Sequence, residues 1–228
     1  MSTTTAAKPS VFFQSSIGKK VFMALTGLFL ITFLIVHCAI NAMVFYNDGG
    51  VTFSKYAHFM GTNPIIRIME IGLVAGFLIH IVDGLLLYFQ NRAARPVKYA
   101  KTASDGKTTW YSRSMALLGT IILLFLVVHT AHFWIPNRAY QFLHGEELNL
   151  FTMMQLEFQE WYTVVIYLLG CFSLFWHLLH GFGSAFQTMG WNHVKYNQVI
   201  HIAGVAFSII VPLIFASMPL AFFFQLVK

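Results

Sequence analysis

The chain has 228 residues, of which 57% are hydrophobic and 10% are charged, whereas soluble domains carry about 25% charged residues. The formal net charge of +6 comes from lysines and arginines that lie between long apolar runs, a pattern that orients membrane proteins and does not indicate a nucleic-acid surface. The composition therefore predicts one integral membrane domain over residues 1–228, without a soluble partner domain.

Five apolar runs are longer than the roughly 18 residues needed to cross a bilayer. Each run is predicted to be helical, because a helix satisfies its own backbone hydrogen bonds in hydrocarbon. Asn63-Pro64 is a typical helix start, with proline at the first helical position. The sequence thus predicts an all-α bundle of five transmembrane helices, at about 20–46, 64–90, 114–136, 161–187 and 198–226.

The distribution of basic residues predicts the orientation of the bundle. The first apolar run, Val21 to about Tyr46, is too long for a signal peptide and lacks a small-residue cleavage site. An N-terminus on the cytoplasmic side would place ten basic residues inside and four outside, as the positive-inside rule favours. The inner ten are Lys8, Lys19, Lys20, Arg92, Arg95, Lys98, Lys101, Lys107, Arg113 and Lys195, and the outer four are Lys55, Arg67, Arg138 and Lys228.

Four histidines, His37, His80, His129 and His180, each lie in a different predicted span. An ionisable residue in hydrocarbon is a functional hypothesis by default. At 1.5 Å per residue, His37 and His129 lie about 25 Å and about 24 Å from the inner edge, whereas His80 and His180 lie about 15 Å and about 10 Å from it. Two depth-matched pairs on four helices are what two haem groups with two histidine ligands each would require.

Other histidines compete for these roles. His177 lies at about 15 Å and matches His80 at least as well as His180 does, so depth leaves that choice open. His132, at about 28 Å, lies near the interface, so depth favours His129. A histidine that only hydrogen-bonds a neighbouring helix is the structural alternative for any one of them. His201 has no depth-matched partner, and loop positions predict solvent exposure for His58, His144 and His193.

The two cysteines, Cys38 and Cys171, lie inside apolar runs and are predicted to pack as small apolar residues. The chain has no Cys-X-X-Cys-His motif, which excludes covalent c-type haem attachment. It also has no Cys-X-X-Cys motif, so it is not expected to hold an iron–sulfur cluster of its own.

Four segments carry a resemblance to a known family: GLFLITFLIVH ending at His37, GFLIH ending at His80, LLFLVVH ending at His129, and LLHG containing His180. They resemble the five-helix, di-haem cytochrome b membrane anchors of succinate dehydrogenases and quinol:fumarate reductases, over nearly the whole chain. The resemblance implies that these histidines are the axial ligands of two haem b groups, pairing the first span with the third and the second with the fourth. It favours His180 over His177. It also implies that Gln14, Ser15 and Trp110 hold propionates of the inner haem.

The resemblance further implies the partners and the activity. A flavoprotein subunit and an iron–sulfur subunit would dock at the cytoplasmic face of a bacterial inner membrane. Electrons would pass between the iron–sulfur clusters and a membrane quinone, which the resemblance suggests is menaquinone. The dicarboxylate chemistry would belong to a partner chain. One departure concerns Leu178, which stands where some fumarate reductases carry a glutamate of a transmembrane proton path. That path is therefore not expected here.

Two other functions remain open from the sequence. One is a cytochrome b anchor of another oxidoreductase, of hydrogenase or formate dehydrogenase type, and the other is a proton transporter that uses a histidine relay. Glu70 and Asp83 are the acidic residues within the predicted spans, where they could move protons or bond helix ends. The quinone pocket is not located by the sequence: the outer candidates are Asn41, Glu70 and Trp134, and the inner candidates are His201 and Trp191.

Overall fold

The computed structural model describes residues 15–94 and 109–228, and these residues form helices and connecting turns without a strand. Five helical stretches are long and apolar enough to cross a membrane: Ile17–Tyr46, Pro64–Ala93, Met115–His144, Trp161–Thr188 and Val194–Phe223. The predicted all-α fold with five spans is confirmed, and the chain is a multi-pass membrane protein. The cytoplasmic location of the N-terminus stays a prediction.

The first span begins with a side-chain cap. Helix α1 covers Ser16–Asn41, and the Ser15 hydroxyl accepts a hydrogen bond from the Gly18 N–H at 3.0 Å, which satisfies one of the free donors at a helix start. A 3₁₀ turn, Ala42–Tyr46, extends the span. The short helix α2, Val51–Thr62, follows after Gly50, whose φ of +78° suits glycine.

Helix α3, Pro64–Ala93, begins where the sequence predicted it. Asn63 caps this helix, since its side-chain oxygen accepts from the backbone N–H groups of Ile65 and Ile66. Pro64 occupies the first turn, where backbone N–H groups have no intrahelical acceptor, so its missing N–H costs no hydrogen bond.

The third span is longer than predicted and contains a change of helix type. It consists of α5, Met115–His129, a π-helical turn, Thr130–Trp134, and α6, Ile135–His144. The helix continues past the predicted boundary at about residue 136, and Pro136 lies in the first turn of α6, where proline is tolerated. A short helix, α4, Trp110–Arg113, precedes the span. The π turn begins directly after His129, and such turns occur frequently at functional sites.

The remaining helices are α7, Leu150–Glu157, α8, Trp161–Thr188, and α9, Val194–Phe223. Helix α9 begins before the predicted residue 198 because the His193 side chain caps a polar first turn. Helix α8 packs against α1, α5 and α9, and α1 also packs against α3. The four histidine-bearing helices are therefore neighbours. Both cysteines are buried free thiols, as predicted.

Candidate haem sites between the spanning helices

His37 and His129 face each other between α1 and α5. Their ring centroids are 5.9 Å apart and their planes are inclined at 87°. Phe33 stacks on His37 at 5.1 Å, and Phe125 stacks on His129 at 5.5 Å. We call the surroundings of this pair the outer site, after the predicted orientation. The structure thus brings together the first and third spans at the two residues that depth had matched.

The hydrogen bonding of the outer site is incomplete. The Asn41 side-chain amide donates to the His37 carbonyl at 2.8 Å, and its nitrogen lies 3.4 Å from His37 Nδ1. His129 Nδ1 is buried and has no partner within the described part of the chain. An unpaired buried polar group costs about 1–3 kcal/mol. Such an atom fits a histidine that serves an additional bound group.

His80 on α3 faces His177 on α8, at 6.2 Å between ring centroids and with an interplanar angle of 63°. His80 Nδ1 lies 3.1 Å from the Thr26 hydroxyl oxygen, while His177 Nδ1 is buried without a partner among the described residues. Two glycines flank the pair: a Cβ at Gly27 would lie 3.6 Å from His80 Cε1, and one at Gly119 would lie 3.8 Å from His177 Cε1. We call these surroundings the inner site.

His180, the predicted partner of His80, has other neighbours. Its ring contacts Tyr111 at 6.4 Å, and its Nε2 lies 3.3 Å from the Ser184 hydroxyl. Within residues 15–94 and 109–228, no ring contact joins His180 to His80. The ring that contacts His80 is that of His177, the alternative that depth had left open. The ligand role of His180 stays a prediction.

The structure describes two of the three residues that are predicted to hold haem propionates. Gln14 lies outside the described residues. Ser15 caps α1 through its hydroxyl. Trp110 packs against Trp176, with 4.6 Å between ring centroids, and Tyr111 stacks on the same tryptophan at 5.4 Å. Since Tyr111 also contacts His180, Trp110 lies at the same end of the bundle as His180.

The two sites lie at different levels along the bundle. Thr26, beside His80, precedes His37 by eleven residues on α1, which is about 16 Å of helix. Gly119, beside His177, precedes His129 by ten residues on α5, or about 15 Å. Between the levels, Phe33 on α1 packs edge-on against Phe77 on α3 at 6.1 Å. A pair of aromatic rings therefore lies between the two levels.

Glu70, a candidate for the outer quinone pocket, is fully engaged. Both of its carboxylate oxygens accept from Arg138, at 3.0 Å and 3.1 Å, and Arg67 and the Trp134 indole N–H donate to it as well. Glu70 thus connects α3 to the π turn and α6. The other acidic residue, Asp83, is 9% exposed, and its Oδ2 has no partner among the described residues.

Two residues near the sites were not identified from the sequence. Tyr167 contacts His129 at 5.8 Å and stacks on His132 at 6.0 Å. It lies ten residues before His177, nearly three helical turns, so its spacing from His177 along α8 could have pointed to it. The sequence offered no such indication for Thr26, because its contact with His80 joins two different helices.

The remaining histidines lie outside the two pairs. The loop position predicted for His58 and His144 is wrong, because His58 lies within α2 and His144 is the last residue of α6. His132 Nδ1 lies 3.4 Å from a Glu157 carboxylate oxygen. The solvent exposure predicted for His58, His144 and His193 is confirmed, and His201 is exposed as well. His58, which pairs with Glu147 at 2.8 Å, has a side chain that is 69% exposed. These histidines lie outside both sites, which leaves His37, His80, His129, His177 and His180 as the possible ligands.

The donor set fits a haem better than a bare metal ion. No group of three or more histidine, cysteine, aspartate or glutamate side chains converges in the described part of the chain, whereas protein sites for bare transition metals use three or four such ligands. An iron in a porphyrin needs only axial ligands from the protein. Comparisons of the chain with protein-family models, with curated proteins and with solved structures found no match.

Proposed function

We propose that this chain is the di-haem cytochrome b membrane anchor of a succinate:quinone oxidoreductase. In that role it passes electrons between an iron–sulfur subunit and a membrane quinone. The observation that carries the proposal is that histidines meet at two levels of one bundle. His37 and His129 have ring centroids 5.9 Å apart, and His80 lies 6.2 Å from His177, with His180 three residues further along α8. The 5.9 Å spacing would admit one metal atom held by both imidazoles, since each metal–nitrogen bond would be about 2 Å long.

His37 and His129 would hold the outer haem, and His80 would supply one ligand of the inner haem. The family resemblance assigns His180 as the second inner ligand, and the 6.2 Å contact with His80 makes His177 its structural competitor. When bound, the haems supply the one-electron redox chemistry. The chain itself supplies the imidazoles and surrounds the outer pair with stacked aromatic rings, Phe33 and Phe125, that exclude water.

The segment of α1 between the two levels supports electron transfer better than a histidine proton relay along this helix. A proton needs a continuous chain of hydrogen-bonding groups, whereas an electron can cross an apolar gap. On α1, Thr32 is the sole polar side chain between Thr26 and His37, and its hydroxyl donates to the Phe29 carbonyl of its own turn. Phe33 and Phe77 pack against each other at this level. In addition, Leu178 is buried and apolar at the position where part of the family carries a proton-conducting glutamate.

The proposal includes the partners and the location. A flavoprotein subunit and an iron–sulfur subunit would dock at the end of the bundle where α1 begins, which the ten-to-four distribution of basic residues assigns to the cytoplasm. The membrane would be the bacterial inner membrane, and the quinone would be menaquinone. Trp110 lies at this end, beside the aromatic rings that contact His180, which suits its proposed contact with an inner-haem propionate.

A pyridine haemochrome assay on the purified chain tests the proposal. We expect two haem b groups per chain, with a low-spin reduced-minus-oxidised spectrum. His58→Ala is a matched control, because this exposed histidine pairs with Glu147 outside both sites and its loss should leave the haem content unchanged. Absence of haem from the native membrane protein would favour the alternative hypothesis of a proton transporter with a histidine relay. Haem without a co-purifying flavoprotein would favour an anchor of another oxidoreductase.

A further inference from the structure

The inner site contains a hydroxyl group within hydrogen-bond distance of the His80 ring. Thr26 on α1 places its Oγ1 3.1 Å from His80 Nδ1 on α3. We infer that Thr26 is a positioning residue, whose hydroxyl accepts a hydrogen bond from His80 Nδ1–H and so leaves Nε2 free to bind the inner haem iron. This inference rests on the proposed function. It does not depend on whether His177 or His180 is the opposite ligand.

The direction of this hydrogen bond follows from the other partners of the hydroxyl. A threonine hydroxyl has one proton to donate and two lone pairs that accept. Thr26 Oγ1 lies 2.8 Å from the Phe22 carbonyl and 3.2 Å from the Met23 carbonyl of its own helix, and both of these oxygens can only accept. The hydroxyl proton is therefore directed into α1. The Thr26 lone pairs face the imidazole, so the ring nitrogen is the donor.

The tautomer of His80 follows from that assignment. In a neutral imidazole one nitrogen carries the proton and the other carries the lone pair that can bind a metal. A proton on Nδ1 places the available lone pair on Nε2. The ring packs close to α1, since a Cβ at Gly27 would lie 3.6 Å from His80 Cε1, an ordinary van der Waals distance.

The Nδ1 atoms of three other candidate ligands lack this arrangement, and in His180 it is Nε2 that lies 3.3 Å from a hydroxyl, that of Ser184. Nδ1 of His129 and Nδ1 of His177 are buried without partners within the described ranges, and Nδ1 of His37 faces the amide nitrogen of Asn41, which is a donor. In a histidine that binds a metal through one ring nitrogen, a hydrogen-bond acceptor at the other ring nitrogen fixes the ring and makes it more basic. A more basic ligand stabilises ferric iron over ferrous iron. Thr26 is thus expected to lower the midpoint potential of the inner haem without affecting the outer one.

Thr26→Val tests this inference, because valine keeps the branched shape and removes the hydroxyl. We expect a positive shift of the inner-haem midpoint potential, an unchanged outer haem, and about 10–100-fold weaker retention of the inner haem. Thr26→Ser should restore the native potential, since it keeps the acceptor. Thr32→Val is the matched control: its hydroxyl also donates to a carbonyl of its own helix, but its side chain is exposed.

The outcomes separate this inference from the proposed function. Native protein without haem would refute the proposed function itself. Two bound haems with native potentials in Thr26→Val would refute the role of Thr26 alone. The role would also be refuted if Thr26→Ser shifted the potential as far as Thr26→Val does, because packing of the methyl group would then be responsible. Loss of the inner haem in Thr26→Val with full retention in Thr26→Ser would support it.

Discussion

Gly170 on α8 controls how closely α5 approaches, and Phe125 of α5 lies directly over it. A Cβ added at Gly170 would lie 2.6 Å from Phe125 Cγ and 2.7 Å from Cδ2. Carbon atoms in contact are separated by about 3.5–4.0 Å, so Gly170→Ala must displace the base of the ring by about 1 Å. Overpacking of this kind costs about 1–3 kcal/mol. Because Phe125 stacks on His129 at 5.5 Å, the outer site should also be disturbed.

Thermal unfolding of the variant in detergent, followed by circular dichroism, measures the first effect, and a redox titration measures the second. We expect a lower unfolding temperature and a shifted outer-haem potential, with the inner haem unchanged. Gly72→Ala is the matched control, since a Cβ there meets nothing within 4 Å and alanine in place of a helical glycine stabilises by roughly 0.5–1 kcal/mol. If Gly170→Ala were as stable as Gly72→Ala and left both potentials unchanged, the packing argument would be wrong.

Three further predictions concern the histidines and Glu70. His37→Ala and His80→Ala should remove different components of the reduced-minus-oxidised spectrum, because the two residues lie at separate levels, and loss of the same component in both would refute the two-site arrangement. His180→Ala should abolish the inner-haem signal in electron paramagnetic resonance, whereas His177→Ala should retain it; the reverse result would assign the inner ligand to the ring that faces His80. Glu70→Gln should lower stability by about 1–3 kcal/mol, because it leaves two partly buried arginines less well paired; an unchanged unfolding temperature would contradict this.

Hydropathy predicted the number of spans because the thickness of a bilayer fixes the minimum length of a helix that crosses it. The start of α3 was also predictable, since Asn63 and Pro64 act through local backbone chemistry alone. The extension of the third span to His144 was missed. Its last turns, IPNRAYQFLH, are amphipathic and contain a proline, and neither feature resembles the apolar run before them. The sequence therefore predicts apolar length well and polar continuations of a helix poorly.

The outer site was predictable to the extent that distance along a helix is regular. His37 and His129 are each counted from a basic residue at the same membrane edge, and the structure places their rings 5.9 Å apart. The partner of His80 was not predictable in this way. His177 and His180 differ in height by about 4.5 Å, while an uncertainty of one or two residues at each helix boundary shifts each depth by about 1.5–3 Å. Errors from two helices together are as large as the difference to be resolved.

Contacts across helices depend on how each helix is rotated about its own axis, and this chain gives little information on rotation. Residues 115–129 of α5 are apolar on nearly every face, because both lipid and neighbouring helices accept apolar side chains. A polar face, which orients helices in soluble proteins, is therefore missing. Thr26 is one of the few polar groups on α1, and in the structure its hydroxyl is turned toward His80. In such a bundle, a partly buried hydroxyl beside a histidine is informative about both function and helix rotation, since leaving either group without a hydrogen-bond partner in hydrocarbon would be costly.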